Sequence, residues 1–142
     1  GTLQGYLHSA YTAHQMGMAS TANAQRGGGF RSVPEVGPTN CCILPQSGLS
    51  PDALLAQAGN GLLVTQAMGV HTANPISGDF SFGAAGLLIE NGCLTTPVRG
   101  VTLAGNIKDL LVHIVAVGDD LRFYGAYGAP SVLVSELVVS GQ

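Results

Sequence analysis

The side chains able to do polar chemistry are few: four histidines (His8, His14, His71, His113), three cysteines (Cys41, Cys42, Cys93) and eight acidic groups against five basic ones. A zinc peptidase of the common kind needs two histidines one helical turn apart with an acid between them, because positions i and i+4 aim at the same ion. No such pair occurs in the sequence. His8 and His14 are six residues apart, about 240° around a helix of 3.6 residues per turn, so they cannot converge on one metal. His71 falls among turn residues and His113 interrupts an apolar helical pattern. Each histidine, taken alone, reads as structural or superficial.

Nucleophilic catalysis by Cys or Ser needs a base within hydrogen-bond reach and an oxyanion hole. Nothing local couples a cysteine to a histidine, and pairing across the fold stays open. There is no Gly-x-Ser-x-Gly elbow, and Gly27-Gly28-Gly29 lacks the Lys-Ser/Thr of a phosphate loop. Asp79 and Glu90 are eleven residues apart with an expected strand between them, so Asp79 is read as solvated or as a turn cap. Asp119-Asp120 marks a loop or a helix start. Two of the three cysteines are sequence neighbours, which suits neither a disulfide framework nor a zinc spacing and reads as reduced thiols of a cytosolic protein.

These residues must be positioned by a core, and 142 residues with 46% hydrophobic content suffice for a single domain. The chain opens at Gly1 without Met and lacks the basic and apolar regions of a secretory signal, so its start reads as a processing boundary. Only 9% of residues are charged, far below the roughly 25% usual for soluble domains. Either the surface is rich in hydroxyls and amides, or part of it is covered, since interface cores are depleted in charge. No basic cluster could neutralise several phosphates, and no apolar run reaches the length of a membrane span, so neither nucleic acid nor membrane is expected as a partner.

Residues 9–16 read as a short helix closed by Gly17, and Ala19–Gly37 as a long loop. Thr39–Leu44 resembles a short strand stopped by Pro45. Ser50-Pro51-Asp52 supplies a cap hydroxyl, a first-turn proline and an acid at the positive helix end, so a helix runs to Gly59 or Gly61. Leu62–Met68 reads as a buried strand and Gly69–Phe82 as a surface loop. Leu87–Glu90 and Cys93–Val98 flank Asn91-Gly92, which suits a type I′ hairpin turn. Asn106 can cap a helix with Ile107, Leu110, Leu111 and Ile114 on one stripe, and Ser131–Val139 makes a last strand. About six strands, mostly hairpin-connected, with two or three short helices give an α+β fold with a mostly antiparallel sheet, a sandwich or partly open barrel.

Several segments together resemble the TldD/PmbA family, once called modulators of DNA gyrase. They are Ser20-Thr21-Ala22-Asn23-Ala24-Gln25-Arg26-Gly27, Gly78-Asp79-Phe80-Ser81-Phe82-Gly83-Ala84-Ala85-Gly86, Ile89-Glu90-Asn91-Gly92 and Leu103-Ala104-Gly105-Asn106-Ile107-Lys108-Asp109. Val115–Leu121 and Gly128–Val134 complete the resemblance, which covers nearly the whole chain. It implies a C-terminal domain, spanning about the last third of a longer cytoplasmic protein that acts in proteolysis. In that family a TldD-type subunit binds zinc through a His-Glu-x-x-x-His helix and a cysteine in a longer loop before the last strand, and a TldE/PmbA-type subunit completes the substrate tunnel. Family roles include peptide-antibiotic maturation and antitoxin turnover. Here Gly118–Pro130 is short and lacks cysteine, which places the chain on the TldE/PmbA side.

The resemblance thus implies a non-catalytic subunit with no metal or catalytic residue of its own, zinc in a TldD-type partner, and pairing with that partner or with itself. The alternatives are an active zinc metallopeptidase domain with ligands partly outside this chain, and a structural dimerisation module. If the domain holds an unfolded or extended peptide, strand addition is the physical means. Asn23, Arg26 and Asn40 are then the candidate substrate-binding residues, Arg26 engaging a carboxylate. The other reading of Arg26 is a guanidinium that satisfies loop carbonyls.

Overall fold

A computed structural model describes residues 3–46 and 48–141, which divide into two compact units. The larger takes in Leu44–Leu121 and the chain from Pro130 onward. Its frame is the hairpin of β5 (Asp79–Glu90) and β6 (Cys93–Asn106). Asn91 and Gly92 have φ of 52° and 76°, the two positive values a type I′ turn demands. The antiparallel ladder then runs from Glu90↔Cys93 to Asp79↔Asn106. β4 (Gly61–Met68) pairs with β5, and β11 (Val138–Ser140) pairs with the far end of β6, giving the order β11-β6-β5-β4.

One face of this sheet makes the core. Phe80, Ala84, Ala85 and Ile89 of β5 are buried with Leu103 of β6, as are Leu54 of α2 (Pro51–Ala58) and Ala116 of β7 (Ile114–Val117). α2 is capped as the sequence suggests: Ser50 Oγ accepts from Ala53 N–H at 3.3 Å, and Gly59 ends the helix at φ 65°. β7 pairs with β10 (Val132–Val134) in a separate two-stranded sheet.

The strand expected over 62–68 exists, but it is an edge strand rather than a buried one: Val64 and Met68 are exposed. The loop expected over 69–82 ends at Gly78, after a 3-10 turn at Val70–Thr72; Asp79–Phe82 already belong to β5, where Phe80 is buried and stacks on Phe82 at 5.3 Å. α3 (Ile107–Val112) starts at the Asn106 cap but stops short of the expected stripe. His113 closes it, and Ile114 opens β7, because the β-branched run Ile114-Val115-Ala116-Val117 gains more from pairing with β10 than from another helical turn. The expected last strand also divides. Ser135 N–H and Oγ–H both donate to His113 O (2.9 and 3.3 Å), which turns the chain between β10 and β11.

The smaller unit takes in the described residues up to Ile43 together with Arg122–Ala129. α1 (Ala10–Met16) lies between a capping box of Ser9 with Thr12 and Gly17 at φ 65°. The expected long loop after it holds a minimal ladder: β1 (Ala24–Gln25) pairs antiparallel with β2 (Glu35–Val36) around a 3-10 turn at Gly29–Arg31. β3 (Cys41–Cys42) pairs parallel with β9 (Tyr127–Ala129), which pairs antiparallel with β8 (Arg122–Tyr124). Among the described residues, eleven strands replace the expected six because many are only two or three residues long. The fold is α+β with mostly antiparallel, open sheets, none closed into a barrel. Among the described residues, no helix is long and apolar enough to cross a membrane.

Candidate functional site

Asn23 fastens the base of the 23–37 loop. Its Nδ2 donates to Gly37 O at 3.3 Å, Gly37 N–H donates to its carbonyl at 3.1 Å, and its own N–H donates to His8 O at 3.2 Å. Thr21 Oγ1 grips the same residue from the other side, accepting from His8 N–H at 2.7 Å and donating to His8 O at 3.0 Å. The His8 ring is buried, and its Nε2 has no hydrogen-bond partner among the described residues. Arg26 serves the tip of the loop: one guanidinium nitrogen, Nη1, donates to Phe30 O at 3.1 Å and to Ser32 O. Arg31 stands 5.3 Å over the Phe30 ring. Asn40 is exposed on the bend before β3. Asn23 and Arg26 therefore act within one loop, and no hydrogen bond joins Asn40 to either among the described residues.

Asp79 and Glu90 stand at opposite ends of β5, roughly 35 Å apart at ~3.3 Å per residue, and cannot share a proton or an ion. Asp79 instead serves a turn. Its Oδ1 accepts from Asn106 Nδ2 at 2.8 Å and its N–H donates to Ser77 Oγ at 3.2 Å. The Asn106 bond, and after it Ser77, hold the exposed carboxyl below its ordinary range. Asp120 accepts from Ser131 N–H and Oγ–H, both at 2.8 Å, as a loop brace. The three cysteines are free and exposed. Among the described residues, no three of His, Cys, Asp or Glu gather to hold a metal ion.

One surface escaped the sequence reading. β8 and β9 form a hairpin about Gly125 (φ 65°), and it exposes Phe123, Tyr124 and Tyr127 at 55, 75 and 65%. Cys41 N–H and Ile43 N–H donate to Ala126 O and Gly128 O, fixing β3 alongside. The signal was present in Arg122-Phe123-Tyr124-Gly125-Ala126-Tyr127, a short aromatic run folded back at a glycine.

The larger unit is a hairpin-framed sheet, and the smaller one is assembled from two stretches well separated in the sequence. The family model for the PmbA/TldA metallopeptidase C-terminal domain matches residues 1–141, and the chain belongs to that family. It is 37% identical over 142 residues to the metalloprotease PmbA of Escherichia coli O157:H7, covering 100% of this chain and 29% of that protein. It is 33% identical over 121 residues to a metalloprotease TldD homologue of Haemophilus influenzae, covering 84% of this chain and 24% of that one. A solved structure from Thermotoga maritima, described as a candidate modulator of a DNA gyrase, superposes with a TM-score of 0.89 at 37% identity, covering 99% of this chain and 31% of that one. TldE from Thermococcus kodakarensis shares the fold, with a TM-score of 0.86 at 24% identity over 99% of this chain and 32% of its own. The chain thus spans less than a third of the length of the curated relatives it matches.

Proposed function

We propose that this domain belongs to a non-catalytic, TldE/PmbA-type subunit of a cytoplasmic heterodimeric metallopeptidase, in which a TldD-type subunit holds zinc and this one helps to shape the path of an extended peptide. The observation that carries the reading is the β8–β9 hairpin: the segment before the last strands presents Phe123, Tyr124 and Tyr127 to solvent and contains neither cysteine nor histidine. Tyrosines exposed together on a short, backbone-fixed hairpin suit a protein interface, where aromatic anchors supply much of the binding energy. The low charge of the chain agrees with a surface that is partly covered.

Peptide handling draws support from the sheet edges. β4 is an edge strand eight residues long whose outer side pairs with no other strand among the described residues, and such an edge can bind an extended chain by strand addition without reading its sequence closely. In the smaller unit, considered by itself, Asn23 and Arg26 shape the 23–37 loop, and Asn40 offers an exposed amide before β3. Maturation or breakdown of peptides is the corresponding role.

The test uses the full-length parent, purified alone and with a TldD-type subunit, in metal analysis and a peptide-cleavage assay. The expected result is cleavage only by the pair, with zinc lost when the TldD-type ligands are mutated and retained when His71 or Cys93 is replaced. Stoichiometric zinc on the parent alone, abolished by a change at His71 or Cys93, would overturn the proposal in favour of a self-sufficient peptidase.

A further inference from the structure

The larger unit contains a cleft of about 380 Å³ between the end of β6, α3 and the link leading into β11. Its lining includes the half-buried Gly105, Leu110 and Leu137, which make an apolar floor beside Asn106, and a more polar rim of half-buried His113 with exposed Asp109 and Glu136. Asp109 and His113 are one helical turn apart, with His113 N–H donating to Asp109 O at 2.9 Å, so both side chains lie on the same side of α3. His113 Nε2 lies 3.3 Å from Glu136 Oε1 across the opening. The far wall is held in place by the two Ser135 bonds to His113 O. Close packing keeps the floor shallow: a Cβ on Gly105 would lie 3.0 Å from Leu137 Cδ1 and 3.2 Å from Phe80 Cζ.

Two carboxylates therefore face an apolar trough with no lysine or arginine in its lining. The Asp109 carboxylate has no hydrogen-bond or ion-pair partner among the described residues, and Glu136 is 77% exposed with only the His113 contact. These groups do not gather as a metal site does. An apolar floor below a negative rim is instead complementary to a flexible aliphatic stem that ends in a cation. From this shape and charge we propose that the cleft receives the lysine side chain of a bound polypeptide, its methylenes on Leu110 and Leu137 and its ammonium between Asp109 and Glu136. The proposal rests on the peptide-handling reading above and adds a side-chain preference to it.

Two probes separate the proposal from that reading in the full-length parent. The first is n-butylammonium against n-butanol, followed by NMR of the His113 imidazole at constant ionic strength. The second is a neutral ten-residue peptide with one lysine against the same peptide with norleucine, followed by fluorescence anisotropy. We expect butylammonium, and not butanol, to shift the His113 signals. The lysine peptide should bind about fivefold tighter, the range open to two partly exposed ion pairs. In the Asp109→Asn, Glu136→Gln double variant, with its thermal midpoint checked to be unchanged, both preferences should vanish. Equal binding of lysine and norleucine peptides, or a preference that survives the double variant, overturns the proposal. Failure of both peptides to bind, with butylammonium still selected, overturns the lysine assignment through the peptide-handling reading while leaving the cleft as a site for organic cations.

Discussion

At the scale of single residues, several polar groups singled out in the sequence turn out to hold backbone in place. Asn23 ties two ends of a loop, and Arg26 takes up two carbonyls at its tip, the plainer of the two roles foreseen for it. Long-range hydrogen bonds of this kind are invisible in a sequence because the acceptors are main-chain atoms common to every residue. Asp79 was legible as a turn cap, whereas its bond to Asn106, 27 positions on, was not. That bond makes a testable statement about pH. A carboxyl whose folded pKa lies below its unfolded value contributes stability above the unfolded pKa, and the contribution is lost as pH falls through the folded value. Asn106 is the larger cause of the lowering at Asp79, with Ser77 second. Asn106→Ala should therefore raise the Asp79 titration midpoint toward the ordinary carboxylate range, as read by carboxyl 13C shifts. An unmoved midpoint would reject the assignment of cause.

At the scale of elements, the β5–β6 hairpin and α2 could be read directly because their determinants are local: Asn-Gly at one turn, Ser-Pro-Asp at one helix start. The register shifts along β5 could not be. They occur near Thr65 on β4, between Ala84 and Ala85, and between Leu87 and Ile89, and they follow from how three strands fit together. Gly86 sits among them, with space for no side chain: a Cβ there would stand 1.9 Å from Leu63 O and 3.2 Å from Val64 Cα. Gly86→Ala should force β4 away from β5 and cost about 1–3 kcal/mol. Gly83→Ala, whose Cβ would meet Met68 Cε at an ordinary 3.7 Å, should stay within about 1 kcal/mol of the parent. Chemical denaturation of the two variants side by side checks the register; equal effects would reject it. The division of the last strand, and the early end of α3 at His113, belong to the same class of non-local outcome, since both depend on β7 finding β10.

At the scale of the whole molecule, the class of fold was legible from the order of elements and the family from the order of motifs, while the exposed aromatic hairpin was not. Aromatic residues in Arg122–Tyr127 could equally have filled a core, and only the placed hairpin reveals them as exposed. If they anchor a TldD-type subunit, Phe123→Ser with Tyr124→Ser in the full-length parent should weaken that complex about tenfold or more, as loss of interface hot spots does. The thermal midpoint of the isolated subunit should be unchanged, because neither ring is buried in this domain. Surface plasmon resonance against the immobilised partner gives the answer, and undiminished affinity would return the hairpin to ordinary surface.

The order in which the smaller unit is assembled carries a consequence for biosynthesis. Its two stretches are separated by the entire span Leu44–Leu121, so β3 has no β9 to lie against until the ribosome has passed Ala129. The β5–β6 hairpin, whose partners adjoin in sequence, can close well before that. Nascent chains therefore pass through a stage in which the β5–β6 hairpin has closed while the Cys41–Cys42 backbone still lacks its mate, a strand edge open to any chaperone that patrols the exit tunnel.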